Sequence, residues 1–270
     1  MAVPPDPRSL LDLAVATAQE AAELVRRGRA TAADDVSVKS SPVDVVTAVD
    51  TASEHLLVGR LLGARPDDGV LGEEGALRQG TSGVRWIVDP IDGTVNFLYD
   101  LPAYAVSIAA EVEGVVVAGV VLNAATGEQF TAVAGGGAFR STPAEPGPVR
   151  LTGSRATSLE QSLVATGFGY RVEQRRAQGA AVAALLPRIR DIRRHGSAAL
   201  EFCAAAAGRV DAYYETGLEP WDHAAGALVA AEAGLVLGGL PGRPFGDPMV
   251  VAAAAGIADD LLAVLAELHS

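Results

Sequence analysis

The sequence predicts an α+β fold. Three stretches predict it: a helical opening, a central run of short strands, and a closing half in which strands and helices alternate. In the opening, Asp6-Pro7 joins a capping side chain to the preset φ of a first-turn proline. Leu10, Ala14, Ala18, Ala21 and Val25 then recur at helical spacing as far as Gly28. Residues 30–41 lack periodicity and read as a mobile loop. Thr51-Ala52-Ser53-Glu54 has capping-box spacing, so a second helix is expected just after Asp50, stopping at Pro66.

Val84, Trp86, Ile87 and Val88 read as a buried strand that Pro90 ends, because proline lacks an N–H for the ladder. Residues 103–112, 115–122 and 128–133 read as an antiparallel meander. Gly135-Gly136-Gly137 lacks the lysine and hydroxyl of a P-loop and reads as a tight turn. The proline-rich stretch 142–149 is the best internal boundary. It separates an N-terminal α+β lobe, 1–147, from a C-terminal α/β lobe, 148–270, within one compact unit. In the second lobe, strands are expected at 163–166, 189–193, 210–214 and 249–253. Helices are expected at 173–186, 198–207, 222–233 and 257–268.

At 270 residues and 49% hydrophobic, the chain can bury a large core. Aromatic residues make up only 5%, so small aliphatic side chains must build it. A net charge of −12 argues against general binding to nucleic acid or anionic membrane. It also repels an anionic substrate at long range, which bound divalent cations would have to reverse locally. The single cysteine, Cys203, excludes an internal disulfide and reads as a buried thiol. The start has neither a basic nor an apolar leader pattern, and no stretch is apolar enough to span a bilayer. The expected setting is the cytoplasm.

Acidic residues mark the edges of four elements. Trp86-Ile87-Val88-Asp89-Pro90-Ile91-Asp92-Gly93-Thr94 sets two aspartates across one turn, close enough to share a cation or to bridge two. A short helix through Asn96 and Phe97 follows, whose first amides are of the kind that hold phosphate oxygens. The plainer alternative is a capped turn, with Asp92 as N-cap and Asp89 as a solvated strand end. Leu71-Gly72-Glu73-Glu74-Gly75 and Glu219-Pro220-Trp221-Asp222 repeat the pattern, and the run from Lys39 to Asp50 precedes both. Loop ends converging on one crevice are where α/β sheets build sites, and this set suggests metal-assisted chemistry on a phosphate.

In order and over nearly the whole chain, these segments resemble the inositol monophosphatase family of magnesium-dependent, lithium-sensitive phosphatases. The carriers are Gly72-Glu73-Glu74, the run from Asp89 to Phe97, Gly196-Ser197-Ala198-Ala199, Tyr213-Tyr214-Glu215 and Trp221-Asp222. The resemblance implies a layered αβαβα sandwich of the inositol monophosphatase and fructose-1,6-bisphosphatase type, with Mg²⁺ as cofactor and the site between the lobes. It implies that Glu73, Asp89 and the Ile91 carbonyl hold one metal beside the attacking water. Asp89, Asp92 and Asp222 would hold a second, and Glu74 would bind through water or serve a third. Thr94 would activate the water, its hydroxyl paired with Asp50, and the amides of Gly93 and Thr94 would hold phosphate oxygens. Lys39 matches a family lysine on a loop near the site. Glu215 would accept from ring hydroxyls, with Asp92 as a second contact and Gly196 and Ala198 shaping the pocket.

The implied activity is hydrolysis of an inositol monophosphate to myo-inositol and phosphate. The nearest alternative is a broader sugar-phosphate phosphatase, for example on fructose 1,6-bisphosphate, with Arg171, Arg175 and Arg176 as candidate anchors for a second phosphate. A nucleotide 3′-phosphatase would want an aromatic pair to stack a base, and a non-catalytic scaffold would not need the intact acidic set. Asp89 as an aspartyl-phosphate nucleophile uses one acidic segment where the metal reading uses all four. The expected partner is a small-molecule phosphate monoester. The resemblance implies a homodimer, for which the strands around 115–133 offer an apolar interface. His195 is expected to orient backbone, His223 to pack, and His55 and His269 to lie at the surface. Ser197 lacks the glycine pattern of a nucleophile elbow.

Overall fold

The computed structural model describes residues 5–29, 36–38, 45–145 and 147–269, and Lys39 lies outside them. Along the chain run α1 (Pro7–Gly28), β1 (Val36–Val38), β2 (Val45–Thr47), α2 (Ala48–Ala64), β3 (Gly69–Gly72), β4 (Leu77–Arg78), β5 (Val84–Asp92) and α3 (Thr94–Leu98). The meander is β6 (Ala105–Val112), β7 (Val115–Asn123), β8 (Gln129–Val133) and β9 (Gly137–Ser141), followed by β10 (Val149–Arg150). Then come β11 (Leu163–Thr166), α4 (Val172–Leu185), β12 (Asp191–Arg193), α5 (Ala198–Ala206) and β13 (Ala212–Thr216). The chain closes with α6 (Pro220–Glu232), β14 (Val236–Gly238), β15 (Met249–Ala253) and α7 (Ala258–Leu268).

A large sheet of eight strands has the order β10-β9-β8-β7-β6-β5-β3-β4, and a small sheet of five has the order β12-β11-β13-β15-β14. In the large sheet only β3 and β5 are parallel neighbours. The small sheet is mixed, parallel through β12, β11 and β13 and antiparallel at β15 and β14.

Period-two alternation sorts the strand side chains into layers. Trp86, Val88, Val106 and Ile108 face α1 and α2, where they pack with Leu10, Ala14, Leu57 and Leu61. Ile87, Ala105, Ala109 and Val121 face the other way, onto Phe202, Ala225 and Val229 of α5 and α6. Tyr213 and Val250 of the small sheet close the same core from its far side. Tyr214, Met249 and Val251 turn outward to Leu185, Leu261 and Leu265. The layers therefore run helix, sheet, helix, sheet, helix, the sandwich implied by the resemblance.

Small side chains set the spacing of the middle layer. A Cβ on Gly119 of β7 would lie 3.1 Å from the Ala225 Cα, and one on Gly226 would lie 2.9 Å from the Phe202 Cβ. Helix α6 is thus seated against the sheet and against α5 at close to backbone distance.

Several local expectations are corrected. Helix α2 starts at Ala48 rather than after Asp50, because Thr47 accepts from the Val49 and Asp50 amides while Asp50 accepts from Thr47 N. Glu54, which completes the Thr51 pattern, is buried and takes the amides of Glu74 and Ala76 at 2.8 and 3.0 Å. Strand β5 continues through Pro90 to Asp92. Its ladder with β6 is irregular between Asp89 and Asp92, so no donor is required of the proline. Of the expected loop over 30–41, residues 36–38 pair with β2. In β7, Ala118, Val120 and Val121 are fully buried where α1 and α6 pack, while Val115 at its start is exposed. His269 is half-buried, its Nδ1 2.9 Å from the Leu265 carbonyl oxygen. Among the described residues, no helix is long and apolar enough to cross a membrane.

Candidate active site

The ends of β3 and β5 and the starts of α3, α5 and α6 meet around one cavity of about 780 Å³. Glu73 follows β3, Asp89, Ile91 and Asp92 close β5, and Thr94 opens α3. Gly93 joins them with φ +96°, where a Cβ would lie 2.9 Å from the Ala103 carbonyl oxygen and 3.1 Å from that of Gly196. Only glycine meets both demands, so the turn after β5 can approach residue 196 closely here.

Main-chain amides hold the aspartates by one oxygen each. Asp89 Oδ1 accepts from Ile91 N at 3.0 Å, Asp222 Oδ2 from Glu219 N at 2.7 Å, and Asp50 Oδ2 from Thr47 N at 2.9 Å. Asp92 is held by the start of α5. Its Oδ2 accepts from Ser197 Oγ at 2.5 Å and Ala199 N at 2.7 Å, and its Oδ1 accepts from Ala198 N at 3.2 Å. The Thr94 hydroxyl lies 3.1 Å from Asp50 Oδ1 and 3.1 Å from the Ile91 carbonyl oxygen. It has one proton, so it donates to one of the two and keeps lone pairs to accept with.

Burial and mutual repulsion set the charge of the cleft. Asp89 is pushed well above the ordinary carboxylate range by burial, then by the charges of Glu73, Asp92 and Asp222. Asp222 is raised likewise by burial and by Asp92. Asp92 rises to about 6, burial outweighing the bonds from Ser197, Ala199 and Ala198. Among the described residues, no lysine or arginine is ion-paired with Asp89, Asp92 or Asp222. Carboxylates gathered in this way require a counter-charge. Among the described residues, no three His, Cys, Asp or Glu side chains are already closed around a metal-sized point. The fit to a metal therefore rests on donor chemistry: the cleft lines up carboxylate and carbonyl oxygens, which suit a hard cation such as Mg²⁺.

Glu215 lines the same cleft, and burial raises it to about 7 against the bond from the Tyr213 hydroxyl and the charge of Arg194. Gly196 and Ala198 line the same space, as does Arg171. Arg175 and Arg176 are exposed on α4 outside this lining, and Glu74 is also outside it.

A profile of the inositol monophosphatase family matches residues 6–269. The chain belongs to this family. The inositol-1-monophosphatase of Mycobacterium leprae is 48% identical over 277 residues, covering 96% of this chain and 94% of that protein. A protein of Escherichia coli named Nus factor SuhB is 38% identical over 86% of each chain. Among solved structures, Mycobacterium tuberculosis SuhB matches with a TM-score of 0.84 at 46% identity, covering 97% of this chain and 98% of that one. An IMPase of Thermotoga maritima matches with a TM-score of 0.86 at 30% identity, over 97% and 98%. Membership in the inositol monophosphatase family supports phosphatase activity, a hydrolase acting on a small molecule.

In this inositol monophosphatase family chain, the histidines stay at the margin. His195 turns Nδ1 to Glu201 Oε2 at 2.9 Å, and its carbonyl accepts from Asn96 Nδ2 at 2.6 Å. His223 packs edge-on to Phe245, and burial lowers it to about 4. Sequence reasoning missed what Ser197, Asn96 and Glu54 do. Each bonds a partner far along the chain, and no local spacing displays that.

Proposed function

We propose that this chain is a Mg²⁺-dependent phosphate monoesterase that releases myo-inositol and phosphate from an inositol monophosphate. The observation that carries the reading is the meeting of Glu73, Asp89, Asp92 and Asp222 on one cleft with Thr94, whose hydroxyl is bonded to Asp50. Glu73, Asp89, the Ile91 carbonyl, Asp92 and Asp222 would hold the magnesium. Bound there, it supplies Lewis acidity that acidifies water and offsets the charge of the phosphate.

The chain's own groups do the rest. Thr94 accepts a hydrogen bond from the attacking water, while Asp50 and the Ile91 carbonyl compete for its proton and fix its orientation. Glu73 lies beside that water. Asp92 has the remaining lone pair of Oδ1 to offer, since Ala198 N takes the other and Ser197 and Ala199 occupy Oδ2. The amides of Gly93 and Thr94 hold phosphate oxygens as the water's oxygen bonds to phosphorus and the ester bond breaks. The leaving alkoxide takes a proton from solvent, to which the attacking water's proton is released. Glu215 accepts from ring hydroxyls, next to Gly196 and Ala198.

Arg171 and Arg194 line the same cleft and favour, as the second reading, a sugar phosphate carrying another anionic group. Phosphate release with and without Mg²⁺ separates the two, using inositol 1-phosphate, fructose 1,6-bisphosphate and a 3′-phosphonucleotide. Magnesium-dependent turnover led by the inositol ester is expected. Turnover led by the bisphosphate selects the second reading, and no turnover on any ester rejects both.

A further inference from the structure

Glu215 is held by two groups that have no other task in the proposed reaction. Tyr213, two residues earlier on the same face of β13, is fully buried and donates from its hydroxyl to Glu215 Oε2 at 2.7 Å. Its ring meets Phe202 of α5 edge-on, with centroids 4.8 Å apart, and Phe202 is wedged in turn against Gly226 of α6. The phenol oxygen is therefore fixed by the middle layer of the sandwich. A Cβ on Gly167 would lie 1.9 Å from Glu215 Oε2 and 2.4 Å from Oε1, so the carboxylate also rests directly on bare main chain.

We propose that Tyr213 is a positioning residue for substrate selection: with Gly167 behind it, its hydroxyl holds the Glu215 carboxylate in one orientation and leaves Oε1 to accept from a ring hydroxyl of a polyol phosphate. The proposal rests on the reading of Glu215 as the hydroxyl acceptor. An unheld carboxylate would be ordered only when substrate arrived, and that ordering weakens binding. The phenol also favours the charged, accepting form of Glu215 against the burial that raises it. Tyr213→Phe keeps the ring and its contact with Phe202 while removing only the donor.

The test is steady-state kinetics of wild type, Tyr213→Phe, Glu215→Gln and the double variant with Mg²⁺, on inositol 1-phosphate and on p-nitrophenyl phosphate, which has no ring hydroxyls. Tyr213→Phe is expected to raise KM for the inositol ester roughly tenfold, the size of one hydrogen bond to a charged group, and at least fivefold more than for the aryl ester. In the Glu215→Gln background the same change should have little further effect. Gly167→Ala, whose Cβ would displace the carboxylate, should show the same selective loss. Equal losses on both esters, or a full Tyr213 effect that persists without Glu215, overturn the positioning role. If Glu215→Gln itself is not selective, the acceptor reading falls, and this proposal falls with it.

Discussion

The Asp92 carboxylate caps the first turn of α5, with Oδ2 2.5 Å from Ser197 Oγ and 2.7 Å from Ala199 N. A side chain at the end of β5 in the large sheet thus ties down a helix that packs against the small sheet. The same carboxylate is a proposed metal ligand, so stability and activity meet in one residue.

Asp92→Asn should therefore lose turnover and stability together. An amide keeps one acceptor but cannot accept at its nitrogen, so the start of α5 is undercapped by about 1 kcal/mol. With saturating Mg²⁺, which offsets the clustered charge, thermal unfolding should show a drop of roughly 2–4 °C for a chain of this size. Wild-type activity in a folded variant would remove Asp92 from the metal site.

Asp222→Asn should behave in the opposite way in the absence of divalent cation. Its anchor is the Glu219 amide, and its charge is opposed by Asp92 and Glu73. Neutralising it should stop turnover but raise the unfolding midpoint of the metal-free protein by roughly 2–4 °C, equivalent to about 1 kcal/mol. A lower midpoint would show that repulsion is not stored there.

The pH dependence follows from the direction of these shifts. Asp92 rises from 3.8 to about 6 on folding, and Asp89 and Asp222 rise as well. Between those values the three carboxylates make the folded chain bind more protons than the unfolded one, and they outnumber the opposing His223. Stability therefore falls as pH rises through the window. Without divalent cation the unfolding midpoint should be higher near pH 5 than near pH 7.5, and Mg²⁺ should add more at the higher pH. A midpoint that rises with pH in metal-free buffer would contradict the clustering of charge.

Thr94→Val removes a hydroxyl that bonds Asp50 but is not a proposed metal ligand. Turnover should fall by roughly 10²–10⁴, the range for a lost proton-transfer partner. Calorimetric Mg²⁺ affinity should stay near wild type, and Thr94→Ser should recover much of the loss. A matching loss of Mg²⁺ affinity would make Thr94 a ligand-site residue instead.

Gly226→Ala tests the spacing of the middle layer. Helix propensity favours alanine by about 1 kcal/mol, but a new Cβ 2.9 Å from the Phe202 Cβ adds roughly 1–3 kcal/mol of overpacking. Net destabilisation is expected in chemical denaturation, and stabilisation would show that α5 and α6 can move apart freely.

Local pattern by itself determined a good deal of this protein. Leu163–Thr166 and Met249–Ala253 have the bounds their apolar runs predict, and the turn after β5 was visible because proline, glycine and paired aspartates act over a few residues. The order of the acidic segments was enough to place the chain in its family. Only the tertiary structure decided that β5 carries on through Pro90, that Thr47 rather than Thr51 caps α2, and that Asp92, Asn96 and Tyr213 bond Ser197, the His195 carbonyl and Glu215. Capping residues compete for the same amides, and burial chooses among them. Asp92–Ser197 and Asn96–His195 join positions about a hundred residues apart, a relation that periods of 2 and 3.6 cannot encode. It arises because two sheets share one thin, alanine-rich layer of helices, which brings β5, α3 and α5 to a single edge.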